Sequence, residues 1–212
     1  MKSAHTVIGV DVGSSKKGFH AVALCGTEIL GRDCFQKPTE LVEWCSAQNA
    51  QAVAVDAPCR WSATGRARRA EREMMELGIY AFATPTREKA EQSANYAWMI
   101  EGANLYRLLE RRYSLFDGNL PTGRVCIETY PHAAACALAG AVISAKRKSS
   151  VRRKLIREAR LDDKALSNID YIDAALCALS AQSLLQGKYL AYGDASEGFI
   201  VVPSPTLLGT LL

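Results

Sequence analysis

The stretch VIGVDVG at residues 7–13 is the starting point for predicting the fold of this chain. It predicts a buried strand that carries Asp11 near its end and leads into a glycine turn. Two later runs have the same form: AVAVD ends in Asp56, and VCIE ends in Glu128. Continuous apolar runs are typical of parallel strands that are buried on both faces. A carboxylate at the end of such a strand is costly to desolvate unless a partner compensates it.

A fourth acid is predicted to lie in a buried helix. Asp173 is followed by the apolar run AALCAL at 174–179, so its helix is expected to be buried on nearly all sides. Asp170 lies three residues earlier and therefore shares a face with Asp173. The helix dipole alone also explains an acid at position 170, but it explains Asp173 less well because that residue lies deeper in the helix.

These four acids call for a shared compensator, which we predict to be a metal ion. The chain has three histidines and no cysteine or histidine spacing typical of a zinc site. Carboxylate oxygens suit the hard cations Mg²⁺ and Mn²⁺. We therefore expect one of these two metals and no structural zinc.

Size and composition are those of one ordinary globular domain, which we predict to span residues 1–212. Seven cysteines, an odd number without close pairs, argue against a disulfide framework and for a reducing, cytoplasmic compartment. The chain reaches Asp11 too soon to hold the apolar core of a signal peptide. The longest uncharged stretch, 129–145, is rather short for a membrane span, so we expect no membrane partner.

The apolar patterns predict a layered α/β chain. The predicted strands are 7–12, 19–24, 28–35, 51–55, 125–128 and 199–202, with a hairpin turn at 13–18. The predicted helices are 66–77 and 88–113, which form a helical insertion at about 60–120, and others that begin near 38, 131, 149 and 168. Ligands bind at the carboxyl ends of strands in such sheets, so the strand-ending acids are expected at one edge. The apolar tail after Pro205 predicts packing or an oligomer contact.

Four short segments, taken in order, resemble the motifs of a known family. They are GVDVG at 9–13, VDAP at 55–58, ETYP at 128–131 and DYIDAA at 170–175. With the middle segments RAER and LGI, they are similar to the domain-of-unknown-function 429 family over about residues 7–202. That family is regarded as predicted nucleases of the ribonuclease H-like fold.

The resemblance implies a ribonuclease H-like mixed central sheet flanked by helices, with a helical insertion. In this layout we expect the first strand to be central, flanked by the strands that end in Asp56 and Glu128. The resemblance also implies a carboxylate cluster similar in layout to that of RuvC-like resolvases.

Such a cluster implies two-metal hydrolysis of nucleic-acid phosphodiesters, with DNA and RNA both open as substrates. Asp11 is expected to bridge two Mg²⁺ or Mn²⁺ ions, while Asp56, Glu128 and Asp173 complete their coordination. Asp170 is either a fifth ligand or a hydrogen-bond partner of the ligands.

Basic residues predict a polyanion partner. Residues 146–160 hold eight Lys or Arg and a single acid, and the apolar stripe of this segment is expected to face inward. That would leave four basic side chains largely free for substrate: Arg152, Arg153, Lys154 and Arg157.

Five further residues are candidate substrate contacts, each with a plainer interpretation. Lys16 and Lys17, in the turn beside Asp11, would meet a phosphate or simply form a hairpin tip. Arg60 and Trp61 follow the Asp56 strand, where the indole would stack on a base or pack in the fold. His132 would assist proton transfer or have no catalytic role.

Two other functions fit parts of the sequence. The segment DVGSS at 11–15 also resembles the first phosphate motif of actin-like ATPases and sugar kinases, although no second glycine-rich loop is evident. A non-catalytic nucleic-acid-binding module of the same fold is the other alternative. Metal-dependent cleavage would separate the nuclease from both.

Overall fold

The computed structural model describes residues 5–205, except for the side chain of residue 147. The strands are β1 (Thr6–Val12), β2 (Phe19–Cys25), β3 (Glu28–Phe35), β4 (Ala52–Asp56), β5 (Ser114–Leu115), β6 (Val125–Glu128), β7 (Tyr189–Asp194) and β8 (Gly198–Pro203). The helices are α1 (Pro38–Ala47), α2 (Arg69–Glu76), α3 (Arg87–Glu91), α4 (Ala97–Leu109), α5 (Pro131–Ala139), α6 (Lys148–Glu158) and α7 (Ile169–Leu185).

The strands form one mixed sheet in the order β3-β2-β1-β4-β6-β8-β7, with β5 beside β6. Within the first five of these, only β2 is antiparallel to the others. This order and these directions are those of the ribonuclease H-like fold, so the predicted fold class is confirmed. The expected neighbours of β1 are partly wrong: β1 lies between β2 and β4, and the Glu128 strand β6 lies beyond β4.

Helices cover both faces of the sheet. On one face, α5 and α7 pack against alternate residues of the strands, including Val7, Ala52 and Ile127, and α6 packs on these two helices. On the other face, α1 and α4 cover the intervening residues, including Val10 and Val55. This strict alternation along each strand decides which functional side chains can meet.

Local signals explain where several helices begin and end. Pro38 and Pro131 occupy the first turns of α1 and α5, where a missing N–H is tolerated. The side chain of Asn168 accepts a hydrogen bond from the Tyr171 N–H at 2.9 Å and caps α7, as predicted. Gly140 ends α5 in the left-handed conformation that suits glycine.

Helix α7 approaches β1 closely at Gly9. A Cβ atom added at Gly9 would lie 1.9 Å from the carbonyl oxygen of Ala174 and 2.2 Å from the nitrogen of Ala178. Both neighbours are helix backbone, which has little freedom to give way. The contact therefore requires glycine and fixes how near α7 lies to the strand that carries Asp11.

Three details differ from the sequence prediction. The helix expected at 88–113 is interrupted at Ser93, whose side chain caps a short 3-10 turn ahead of α4. Strands β5 and β7 were not predicted; both are partly polar and pair at the sheet edge or with a single neighbour. Helix α6 begins at Lys148, one residue before the predicted start near 149. The tail after Pro205 lies outside the described residues.

In the part of the chain that the structure describes, no helix combines the length and the apolar character needed to cross a membrane.

Replacing Gly9 with alanine tests the contact with α7. We expect Gly9→Ala to lower the free energy of unfolding by about 3 kcal/mol, the upper end for overpacking, because rigid backbone blocks the methyl group. Urea denaturation measures this change. Gly123→Ala is the matched control, because a Cβ there meets nothing within 4 Å. An equal effect of both substitutions would contradict the close approach.

Candidate metal centre

Asp11 lies in register between His20 and Asp56. In the sheet, Asp11 pairs with His20 across the β1–β2 hairpin and with Asp56 across the parallel β1–β4 pair. Directly paired residues point to the same face of a sheet. All three side chains therefore face α7, at the edge where β1 and β4 end.

Helix α7 adds two more carboxylates to this edge. Asp170 and Asp173 lie in its first turns, and Asp173 is only 5% exposed. Ligand atoms of Asp11, His20 and Asp170 lie within 4.8 Å of one another. The negative charges of Asp11 and Asp173 act on Asp56 as well. Asp11, His20 and Asp170 thus form a close group, and Asp56 and Asp173 lie near enough for their charges to act on one another and on Asp11.

The cluster is electrostatically unfavourable without a cation. Burial, together with the charges of Asp173 and Asp170, raises the pKa of Asp11 from 3.8 to about 7. Burial and the charges of Asp11 and Asp173 also raise the pKa of Asp56 well above its ordinary value. Strongly perturbed carboxylates in one place are typical of functional sites.

Asp173 has a protein partner as well. Its Oδ1 accepts a hydrogen bond from Nη1 of Arg152, and both side chains are buried. Burial raises the pKa of Asp173, while Arg152 opposes the rise. Arg152 therefore holds this carboxylate in place and partly offsets the charge of the cluster.

Glu128 lies on the other face of the sheet. It pairs in register with Val55 and not with Asp56, so its side chain points away from α7. Its two oxygens accept hydrogen bonds from Arg68, one of them at 2.9 Å from Nη1, and from the Cys59 N–H at 2.8 Å. Arg68 thus compensates the charge of Glu128 in this structure. Its role as a metal ligand stays a prediction.

Arg68 is the centre of a buried polar network that sequence reasoning missed. Only 1% exposed, it also donates from Nε to Glu71 at 2.9 Å. Glu71 in turn accepts hydrogen bonds from the N–H and hydroxyl of Thr84. Every carboxylate oxygen in this network is satisfied, and the network ties the helical insertion to the end of β6.

The donor set at the cluster fits a divalent cation. Nδ1 of His20 is buried and has no hydrogen-bond partner among the described residues. Burial lowers the pKa of His20, which favours the neutral imidazole that can bind a metal ion. Several carboxylates with one imidazole suit Mn²⁺ at least as well as Mg²⁺. His20 lies opposite Asp11 in a two-strand hairpin. This position is the sequence signal that would have identified His20 as a candidate ligand.

Two lysines flank the cluster. Nζ of Lys17 lies 3.4 Å from Asp170, and its side chain is 62% exposed. Lys148, at the start of α6, lowers the pKa of both Asp11 and Asp173 through its charge. Lys148 was not among the predicted contacts. Lys16 is exposed in the same turn as Lys17.

The basic helix α6 is less free than expected. Arg152 is 5% exposed, so the expectation that its side chain is largely free for substrate is wrong; its charge is used on Asp173. Arg153 donates to the Asp163 carbonyl at 3.0 Å, and Lys154 lies 3.5 Å from Glu158 on the surface. Lys154 stays mostly exposed, and so does Arg157, although Nη1 of Arg157 donates to Oδ2 of Asp163 at 3.0 Å.

The remaining candidates lie away from the acids. Arg60 forms a bidentate ion pair with Glu110 at 2.8 and 2.9 Å. Trp61 lines a separate small cavity with Arg87 and Arg107. His132 is buried near Cys136, and burial and Arg152 lower its pKa. Their substrate roles stay predictions.

Comparison with known proteins identifies a family. Over residues 9–197 the chain matches the family described as "Protein of unknown function (DUF429)", which confirms the resemblance of its motifs. No curated protein sequence matches it significantly.

Two solved structures of Thermus thermophilus RuvC are similar to the chain, each with 14% identity and a TM-score of 0.46. The alignment with the RuvC structure covers 86% of this chain and 96% of that RuvC chain. The alignment with RuvC in complex with a Holliday junction substrate covers 86% of this chain and 94% of that RuvC chain.

The raised pKa of Asp11 predicts a pH-dependent stability of the metal-free protein. Between about pH 4 and pH 7 the folded state binds a proton that the unfolded state releases, so the free energy of unfolding falls as the pH rises through this window. Asp11→Asn removes this loss. In EDTA we expect the variant to be more stable than the wild type at pH 8, by about 2–4 kcal/mol after discounting for solvent screening.

Urea denaturation at pH 8 and pH 5 measures the difference between the two proteins. The advantage of Asp11→Asn should shrink at pH 5, where the wild-type carboxyl binds its proton. A difference that does not change with pH would show that burial and the neighbouring acids do not raise the pKa of Asp11.

Replacing Glu128 should lower the stability of the protein, in contrast to replacing Asp11. Glu128→Gln leaves the buried Arg68 guanidinium with only Glu71 as an ionic partner, so we expect a loss of about 3 kcal/mol in the free energy of unfolding. Glu43→Gln, on the exposed side of α1, is the matched control and should change stability by less than about 0.5 kcal/mol. A neutral Glu128→Gln would show that Arg68 does not depend on this partner.

Proposed function

We propose that this chain, which belongs to the DUF429 family of proteins of unknown function, is a divalent-metal-dependent hydrolase of nucleic-acid phosphodiesters. The observation that carries the proposal is the convergence of Asp11, Asp56, Asp170 and Asp173 with His20 on one face of the sheet edge. A buried cluster of repelling carboxylates lowers the stability of the fold, and a polynucleotide hydrolase would use it to hold cations.

The proposed ligands are the four aspartates and His20. Asp11 lies in register between His20 and Asp56 and close to Asp170, which suits a carboxylate shared between two ions. When bound, two divalent ions would stabilise the attacking hydroxide and the leaving oxygen of a phosphodiester. The protein contributes the spacing of the donors, which β1, β4 and α7 fix.

Three cationic side chains support this arrangement from the outside. Arg152 orients the Asp173 carboxylate through their buried ion pair. Lys17 and Lys148 lie on the solvent side of the acids, where their charges would attract the phosphate backbone of a substrate. The net charge of the chain is only +4, so attraction of a polyanion would depend on these local cations more than on the total charge.

Glu128 has a structural part in this proposal. It anchors Arg68, and with it the helical insertion, beside the end of β6. To act as a metal ligand, as the sequence suggested, Glu128 would have to leave Arg68.

Cleavage assays test the proposal. We expect the wild-type protein with Mn²⁺ or Mg²⁺ to cleave at least one member of a panel of single-stranded, duplex and branched DNA and RNA. Asp56→Asn should lower the rate by at least about 100-fold, because it removes a ligand that the transition state needs. The folded state of each variant is checked by urea denaturation, and gel analysis measures cleavage.

Glu43→Gln serves as the control for a carboxylate-to-amide change and should retain the wild-type rate. Cleavage that survives in Asp56→Asn would indicate a contaminating nuclease or another site. Binding of an ATP analogue without any cleavage would favour the actin-like alternative instead.

A further inference from the structure

A cavity of about 280 Å³ opens beside the carboxylate cluster. Asp56 lies on its wall together with Val12, so the cavity adjoins the place where the proposed metal ligands meet. The helical insertion supplies its other wall through residues 80–82, Thr84 and Trp98. The volume is at the small end of ligand pockets, about 300–1,000 Å³, and suits a single ring system.

Aromatic side chains surround this cavity. Aromatic residues make up 8% of the chain, yet four of them line this one space: Tyr80, Phe82, Trp98 and Tyr130. Tyr80 is 73% exposed and Phe82 is 59% exposed. Large rings left in water at the mouth of a cavity mark a surface built for contact with a ligand.

The segment that carries these exposed rings is held in place at three points. The hydroxyl of Tyr130 donates to the Tyr80 carbonyl at 3.1 Å. Thr84 donates to Glu71, and the Pro85 carbonyl accepts a hydrogen bond from the Ser62 N–H at 3.1 Å. The backbone that carries the rings is therefore held in place.

Apart from Asp56, which belongs to the proposed metal site, the acidic side chains of the cavity and Thr129 already have hydrogen-bond partners. The oxygens of Glu71 and Glu128 accept hydrogen bonds from Arg68, Thr84 and Cys59. The Thr129 hydroxyl donates to Ser180 at 2.9 Å. A ligand would therefore be held mainly by ring faces, with little hydrogen-bond readout of its edges.

We propose that this cavity receives one unpaired nucleobase of the nucleic acid whose phosphate lies at the carboxylate cluster. The inference rests on the proposed function and names the substrate class, a strand with an unpaired base at the site. Stacking on aromatic side chains is tolerant of sequence because every base offers a π-face. A base within a duplex cannot enter a space of this size without leaving its partner.

Trp61, which the sequence offered as the stacking residue, lines a different cavity. Trp98 takes its place at the site, and Phe82 is the better residue to test because its exposed ring contributes little to the core.

The test compares binding of two probes that share phosphates and differ in bases. One is a fluorescein-labelled oligothymidylate or oligouridylate; the other is an oligomer of the same length made of abasic sugar phosphates. Fluorescence anisotropy with Ca²⁺ in place of Mg²⁺ and Mn²⁺ gives the Kd without requiring cleavage. We expect the wild type to prefer the base-containing probe by about 5- to 150-fold, the effect of one stacked base.

Phe82→Ala should remove most of this preference without changing the Kd for the abasic probe. Leu120→Ala, an exposed apolar residue at 61% that does not line the cavity, should keep the preference. Equal binding of the two probes by the wild type, or equal effects of the two substitutions, would overturn the inference. So would a failure to bind either probe.

Cleavage is scored separately with Mn²⁺. A protein that cleaves but shows no preference for bases retains the proposed function and loses the base pocket. A protein that prefers bases through Phe82 but cleaves nothing retains the pocket and loses the hydrolase.

Discussion

The closeness of α7 to β1 is the constraint on which the candidate site depends. Gly9 permits a helix backbone to lie where any larger residue would place its Cβ, and Asp11 follows two residues later on the same face. Asp170 and Asp173 are carried by that helix, so the separation between strand and helix fixes the separation between carboxylates. The short motif at residues 7–13 thus combines a packing requirement with a chemical one.

A second, independent network holds the other half of the site. Arg68 joins Glu71 of the helical insertion to Glu128 at the end of β6 and is almost fully enclosed. A buried guanidinium with two carboxylate partners is weak evidence for net stability, but breaking the network is costly, because removing any partner leaves an uncompensated buried charge. The aromatic wall of the cavity is therefore held in a defined position relative to Asp56.

Much of the fold was predictable from the sequence, because its central strands are continuous apolar runs and several of its helices begin with a clear signal, a capping side chain or a proline in the first turn. Asn168 and Pro131 are examples in which one residue type at one position is enough. Strand β7 was missed because its residues are half exposed and mixed in polarity, and Ser93 broke a helix whose apolar spacing continued on both sides.

The candidate site was predicted less completely, for a geometric reason. Ending a strand with an acid specifies the edge of the sheet, whereas the face depends on register with the neighbouring strand. Glu128 differs from Asp56 by one step in register and so faces Arg68. His20 was overlooked because its partner Asp11 lies nine residues away in sequence, across a hairpin. Arg152 was assigned to solvent from helical periodicity, which does not report an acid on a neighbouring helix.

The three hydrogen bonds that fix the segment carrying Tyr80 and Phe82 bear on the entropy of binding. A flexible loop would lose conformational freedom on closing over a ligand, and that loss would weaken the affinity. Here folding has already ordered the backbone between the rings, through Tyr130, Glu71 and Ser62. The exposed rings are thus pre-organised, and contact with a flat ligand adds favourable stacking at little further ordering cost.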